Sequence, residues 1–365
     1  MPEPSAGSRV CDSRKEVSII HGKHASGRKQ LAVWQLVLID LFVIAAGLNL
    51  FALVHIVFPR QAATTPQVIS ALPTAVVSAA EPLSATAYPG SEATAPAPEE
   101  TAAPTSEPIV YDGMFDEKFH DKFTDGEVIA DEHSYRSRNI NVTYTEVSEP
   151  GLLYHVADIY VRDLKFLRTA FGRGEYAKGS ESLSDMAARC QAVAAISGDH
   201  YNARLEGLVV RNGVLYRETR FDDVCLLLMD GSMVTMTNSQ LDLEAVRSMG
   251  VYQAWAFGPM LLDENGQVMS EFNSSVTRNN PRSAIGYVEP GHYVFIQVDG
   301  RIPASNGITM QGLSQLFYDW GCVRAFNLDG GASSGFTWQG ALVSFPYGRP
   351  VSDCIYVTDH EEAAD

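Results

Sequence analysis

The sequence predicts an α+β fold, a mostly antiparallel mixed sheet with few packed helices, carried behind one transmembrane helix and a disordered stalk. Three observations lead there. From Asn139 onward short runs of β-branched and aromatic residues recur, several joined by hairpin signals at Asn212-Gly213, Asp230-Gly231 and Asn265-Gly266. Only two stretches, one after Ser182 and one after Thr309, combine helical apolar spacing with a good cap. Ahead of them lies an apolar run of membrane length, then a long segment with few large apolar side chains.

Residues 1–30 form a basic head, with Arg9, Arg14, Lys15, Lys23, Arg28 and Lys29 against Glu3, Asp12 and Glu16. Residues 31–58 read LAVWQLVLIDLFVIAAGLNLFALVHIVF, longer than the ~20 residues needed to cross a hydrocarbon core. A cleaved signal peptide would have an apolar core of only ~7–15 residues and a small-residue cleavage site. This run ends instead in Phe58-Pro59-Arg60. A single-pass, uncleaved anchor in the cell membrane is expected, with the basic flank holding the N-terminus in the cytoplasm and the remainder outside. Residues 59–108, rich in Ala, Thr, Pro, Ser and Glu, cannot bury enough surface to offset ordering entropy, so they predict an extended stalk. Residues 109–365 are the folded, extracytoplasmic part.

Within that part, residues 109–132 are acidic and aromatic (Tyr111, Phe115, Phe119, Phe123) and predict a lead-in helix. Ile140, Val142 and Tyr144 alternate with Asn141, Thr143 and Thr145, the period of a half-buried strand over 139–147. Strands follow at 152–161 and 165–171. Ser182 or Ser184 caps a helix through Gln191 with Leu183, Met186, Ala187 and Cys190 inward, and 192–196 is a buried strand. Hairpins are expected at 209–215, 225–237 and 260–269, with a short helix at 240–249 and a strand at 253–257 between them. Strands at 283–288 and 293–299 come next. Thr309 caps a helix reaching Trp320, with Leu313, Leu316, Phe317 and Trp320 on one face, and Gly321 ends it. A buried strand at 322–328 and a last one at 352–358 close the sheet. No repeat, P-loop or dinucleotide fingerprint interrupts the pattern.

The acidic balance, 27 Lys+Arg against 44 Asp+Glu, argues against nucleic acid as a partner, which calls for a basic patch. Cys11 falls on the cytoplasmic side. Cys190, Cys225, Cys322 and Cys354 fall where disulfides are permitted; they allow three pairings, and their apolar surroundings suit buried free thiols equally well. Their spacing is too wide for a zinc ribbon.

Chemistry collects in four loops that follow apolar strands: Ser197-Gly198-Asp199-His200-Tyr201, Arg278-Asn279-Asn280-Pro281-Arg282-Ser283, Asp299-Gly300-Arg301, and Asn327-Leu328-Asp329-Gly330-Gly331 with Ser333 and Ser334. Guanidinium forks match phosphate oxygens. Paired carboxylates are the usual apparatus for breaking a glycosidic bond. Gly330-Gly331 lets backbone N–H groups turn toward an anion. Asp299-Gly300 and Asp329-Gly330 also read as ordinary turns, and His200 as a structural histidine. Asp199, His200, Asp299 and Asp329 leave a divalent metal open, but no pair among them has a diagnostic ligand spacing, and no cofactor is expected.

The ordered set Pro281-Arg282-Ser283-Ala284-Ile285-Gly286, Val298-Asp299-Gly300-Arg301, Gly307-Ile308-Thr309 and Asn327-Leu328-Asp329-Gly330-Gly331-Ala332-Ser333-Ser334 resembles the phosphodiester glycosidase family. The likeness spans roughly 192–357 and includes Phe257-Gly258-Pro259-Met260-Leu261. The family's strand-end motif usually reads Asn-Gly-Gly followed by two aromatics; Ser197-Gly198-Asp199-His200-Tyr201 departs from it. The resemblance implies hydrolysis of a sugar-1-phosphodiester between the anomeric carbon and the phosphate oxygen. It implies Asp329 as the carboxylate at the anomeric carbon, with Asp299 or Asp199 as partner. Arg282, assisted by Arg278 or Arg301, would hold the phosphate with the Gly330-Gly331 donors, Ser333 and Ser334. Asn327, His200 and Thr309 would contact the substrate. The partner is then a carbohydrate phosphodiester of a surface or secreted glycan; a non-hydrolytic glycan-binding module for envelope or exopolysaccharide assembly would keep the cradle without needing Asp329 as an acid.

Overall fold

The computed structural model describes Phe42, Ile44, residues 66–69 and residues 112–361. Of the apolar run 31–58, only Phe42 and Ile44 are described, both helical; the expected anchor otherwise lies outside the described residues. No helix among the described residues is long and apolar enough to cross a membrane. The basic head and most of the expected stalk also lie outside them. The chain divides into two units at residue 60, and the fold described below belongs to the second, residues 61–365.

Among its described residues the second unit holds three antiparallel sheets. The largest has seven strands in the order Arg324–Asn327, Arg282–Glu289, His292–Val298, Leu152–Val161, Ile140–Glu149, Ser134–Arg136, Ile129–Ala130. A six-stranded sheet runs Gln67–Val68, Val214–Arg217, Val209–Arg211, Val251–Trp255, Val224–Leu228, Met233–Met236. A five-stranded sheet runs Ala341–Leu342, Phe336–Trp338, Ala192–Ser197, Asp353–Thr358, Leu167–Phe171. Few helices accompany them, as expected.

One apolar core joins the sheets. Val142, Ile159, Ile285, Phe295 and Phe326 of the seven-stranded sheet pack with Ile196 and Ile355 of the five-stranded sheet and with Leu227 and Trp255 of the six-stranded one. Burying each such side chain contributes about 1.5–3 kcal/mol. The opposite face of the large sheet takes the helix Met310–Asp319, whose Leu313 and Phe317 lie against Ala284, Val294 and Ile296. Thr309 caps that helix by accepting from the Gly312 N–H at 3.0 Å. Ser182 caps the helix Leu183–Arg189 in the same way, accepting from the Asp185 N–H at 3.1 Å.

Several boundaries differ from those expected. The lead-in helix is only Asp116–Phe119 with a further 3-10 turn at His120–Lys122, and the chain turns extended at Phe123; the rings of Phe115, Phe119 and Phe123 are all buried. The expected helix at 240–249 is one turn, Leu243–Val246, capped by Asp242. Inside the expected stalk, Gln67–Val68 adds an edge strand to Val214–Arg217, so this part of the Pro/Ala/Thr-rich segment is held by backbone pairing, with Gln67 and Val68 exposed and Ile69 packed against the core. All four cysteines of the second unit are buried and free.

Candidate active site

Strand ends converge on one hollow of about 460 Å³. Its floor is the turn after Arg324–Asn327, and its walls come from the segment ahead of Arg282–Glu289 and the chain leaving Val251–Trp255. Asn327, Asp329, Gly330, Gly331, Arg282 and Arg301 all line it. The turn sits close to its neighbour: a Cβ on Gly330 would lie 2.7 Å from the Pro281 carbonyl oxygen, so only glycine fits.

Asp329 is 6% exposed, and its Oδ2 lies 3.0 Å from His200 Nδ1. The two atoms are near without hydrogen-bond alignment, and Oδ2 has no hydrogen-bond partner among the described residues. The turn beneath is tied down. The Asp329 N–H donates to the Gly198 carbonyl at 2.9 Å, and Ser197 Oγ donates to the Asp329 carbonyl at 3.1 Å. His200 has φ +54°, a left-handed backbone uncommon outside glycine, and its Nε2 lies 3.3 Å from Arg349 Nη2. An arginine can only donate, so that contact leaves Nε2 as acceptor and the proton on Nδ1, the ring nitrogen nearer Asp329.

Arg282 is buried beside the hollow. Its Nη2 donates to the carbonyls of Val276 and Arg278, each at 2.8 Å. Arg301, at φ +59°, donates to Asn280 Oδ1 at 2.6 Å. No carboxylate pairs with either guanidinium among the described residues. Burial, and then the Arg301 charge, push the Arg282 group down to about 10, so at neutral pH it is a cation held at a cost in free energy. Asn327 directs its amide N–H to the Gly258 carbonyl at 2.7 Å, and its Oδ1 has no hydrogen-bond partner among the described residues.

Other expected site residues lie elsewhere. Asp299 is outside the hollow lining: its carboxylate accepts from the Phe345 N–H at 3.0 Å and from Gln297 Nε2 at 2.9 Å, with His155 Nε2 at 3.7 Å. Asp199 is buried against Arg211, Asp199 Oδ1 to Arg211 Nη2 being 2.9 Å. Both oxygens of each acid are engaged, so neither faces a substrate in the hollow. Ser334 also sits behind it, donating to the Arg282 carbonyl at 2.9 Å and bonded to Ser283 and Gln297. Ser333 Oγ is buried without a partner among the described residues. The Gly331, Ser333 and Ser334 N–H groups are spent on the carbonyls of Pro281, Gly330 and Gly331, so the expected anion cradle of successive backbone donors is largely closed. Thr309 is occupied as a helix cap, and Arg278 contributes its carbonyl to Arg282.

The hollow also holds residues that sequence reading passed over. Arg204 and Asp222 line it and pair at 3.3 Å, with the Arg204 guanidinium 4.2 Å from the Phe221 ring centre. Burial raises the Asp222 carboxyl above its ordinary range. Asp222 and Asp329 are the two carboxylates in the lining. Asp222 sits in an ordinary-looking loop, and no spacing marks it. Among the described residues no group of three or more His, Cys, Asp or Glu could hold a metal ion.

A model of the phosphodiester glycosidase family matches residues 191–358. The SPbeta prophage-derived uncharacterized protein YomE of Bacillus subtilis (strain 168) is 34% identical over 175 residues, 45% of this chain and 27% of that protein. The N-acetylglucosamine-1-phosphodiester alpha-N-acetylglucosaminidase of Bos taurus is 34% identical over 83 residues, 23% of this chain and 16% of that protein. The chain thus spans about a quarter or less of the length of these relatives. The solved catalytic domain of the zebrafish enzyme of the same name has a TM-score of 0.49 at 17% identity, covering 60% of this chain and 83% of that one.

Proposed function

We propose that this chain, in which residues 191–358 form a domain of the phosphodiester glycosidase family, hydrolyses a sugar-1-phosphodiester. The family's members are hydrolases, and the hollow supplies what this reaction needs. One observation carries the reading: two guanidinium groups without a carboxylate partner, Arg282 and Arg301, line the same hollow as Asp329, whose buried Oδ2 has no hydrogen-bond partner among the described residues.

The phosphodiester is an anion, and Arg282 with Arg301 supplies the missing counter-charge. As the bond from the anomeric carbon to the phosphate oxygen breaks, its electron pair leaves with the phosphate. Charge then grows on the oxygens that the guanidinium groups hold, and this stabilises the transition state more than the ground state. A phosphate monoester is a weak base and needs no protonation to depart. Asp329 faces the positive charge developing at the anomeric carbon, as nucleophile or as base for water. The water oxygen ends on the sugar, and one proton is released for each bond cleaved. His200, with Nδ1 beside Asp329, orients that carboxylate. Asp222 is the second carboxylate of the hollow and takes the place expected for Asp299 or Asp199.

The apolar run at 31–58 and its basic flank support a cell-membrane anchor with the domain extracytoplasmic, acting on a surface or secreted glycan. The test is direct. Wild-type protein should release free sugar from at least one of a panel of sugar-1-phosphodiesters, and Asp329→Asn should lower that rate at least about 100-fold while still binding the substrate. Release at equal rates by both proteins would overturn the assignment of Asp329. Binding without release by wild-type protein would leave a non-hydrolytic glycan-binding module.

A further inference from the structure

Behind the hollow lies a cluster of charge that no substrate can reach. Arg211 is 1% exposed. Its Nη2 lies 2.7 Å from Asp353 Oδ2 and 2.9 Å from Asp199 Oδ1, and its Nε reaches Asp353 Oδ2 at 3.0 Å. Nη1 is bonded to the carbonyls of Val210 and Ala254. Two acids and one guanidinium, all buried, cost more to desolvate than a packed apolar trio would, so bulk stability does not account for them.

The outward ends of these groups explain the cluster better. Asp353 Oδ1 accepts from the Asp199 N–H at 2.9 Å. Asp199 Oδ1 accepts from the Tyr201 N–H at 3.0 Å, and Asp199 Oδ2 from the Ala256 N–H at 3.0 Å. The backbone amides on both sides of His200 are therefore pinned by the cluster's acids, while His200 itself sits at φ +54°. A left-handed histidine is strained and persists only where its surroundings over-determine it. Ala256 belongs to the segment that goes on to Phe257 and Gly258 in the hollow lining, so the same acid sets two walls of the site.

We propose that Arg211 and Asp353, acting through Asp199, are positioning residues that hold His200 with Nδ1 against Asp329. The inference rests on the glycosidase reading for its kinetic test but not for its spectroscopic one. Arg211→Lys keeps the charge and loses the fork. It should lower kcat at least about tenfold with KM within about twofold. In a His200→Ala background the same substitution should cost less than about twofold, because the group being positioned is gone. Equal losses in the two backgrounds, or no loss in the first, would overturn the proposal.

Imidazole ¹⁵N resonances provide the second readout and need no turnover. Arg211→Lys should move the His200 signals away from the Nδ1–H tautomer, while those of His292, far along the large sheet, stay in place. If the His200 signals do not change, the proposal fails even in an active enzyme. If they change in a protein that releases no sugar, the positioning stands and the glycosidase reading falls. Asp353→Asn, which keeps the Oδ1 acceptor, serves as the second variant should Arg211→Lys fail to fold, with the same expectations.

Discussion

At the scale of single residues, charge without a partner marks the site more plainly than motif does. Among the described residues Arg282 hydrogen-bonds only to carbonyl oxygens, and replacing it by Lys would remove the planar fork that matches a phosphate. Arg282→Lys should raise KM for a sugar-1-phosphodiester about tenfold or more, and inorganic phosphate should become a correspondingly weaker competitor. Asp353 gives a prediction of another kind. Burial, and then the nearby Asp199 charge, raise its carboxyl from 3.8 to about 7. The folded state thus holds a proton that the unfolded chain releases near pH 4, and the stabilisation is present below that pH and lost as pH rises through about 7. Relative to Asp353→Asn, the wild-type melting temperature should therefore fall between about pH 4 and pH 7. Asp329 and Arg282 were legible from strand-end position and residue type. Asp299 and Asp199 had the same sequence signal, an acid after an apolar strand beside a glycine, yet their carboxylates turn inward to backbone amides. Which way a side chain leaves a strand end depends on packing from the other sheets, and local sequence does not encode it.

Among the elements, the strand Ala192–Ser197 and the strand Asp353–Thr358 are neighbours, and their close pairing sets the loop that bears His200. Just past the first strand, Gly198 has no room beside Asp353, since an added Cβ would lie 2.3 Å from Asp353 Oδ1. Gly198→Ala should destabilise the protein by about 2–4 kcal/mol in urea titration and lower activity beyond the loss of folded protein, because it pushes on the acid that fixes the loop. Strands were read well where alternation or the turns at Asn212-Gly213 and Asp230-Gly231 marked them, but the hairpin expected at 260–269 is only an isolated bridge between Leu262 and Val268. The sequence stretch at 209–215 shows why: Asn212 and Gly213 both adopt positive φ, +51° and +81°, in the turn between Val209–Arg211 and Val214–Arg217. The edge strand Gln67–Val68 had no such mark. It pairs through its backbone onto an open sheet edge, and composition is blind to that. The pairing of three sheets around one core was equally hidden, because apolar spacing reports that a face is buried and not what buries it.

Over the whole molecule, the folded unit and the apolar run make separable predictions. If residues 31–58 anchor the chain, the full protein should stay with membranes after a high-salt wash. Deleting those residues should then move it to the soluble fraction with kcat unchanged. Recovery of the full chain in the soluble fraction would refute the anchor and leave the catalytic reading untouched. The free, buried Cys190, Cys225, Cys322 and Cys354 fit the same picture of a unit stabilised by its core without a covalent framework.

The central claim is that the bond from the sugar's anomeric carbon to the phosphate oxygen is the one broken. Hydrolysis of a sugar-1-phosphodiester in ¹⁸O-labelled water, followed by ³¹P NMR and mass spectrometry, reads this directly. A glycosidase places the label on the released sugar, and the phosphate monoester shows no isotope shift. Label in the phosphate would mean attack at phosphorus, and would contradict the roles of Asp329 at the anomeric carbon and of Arg282 and Arg301 at the departing phosphate.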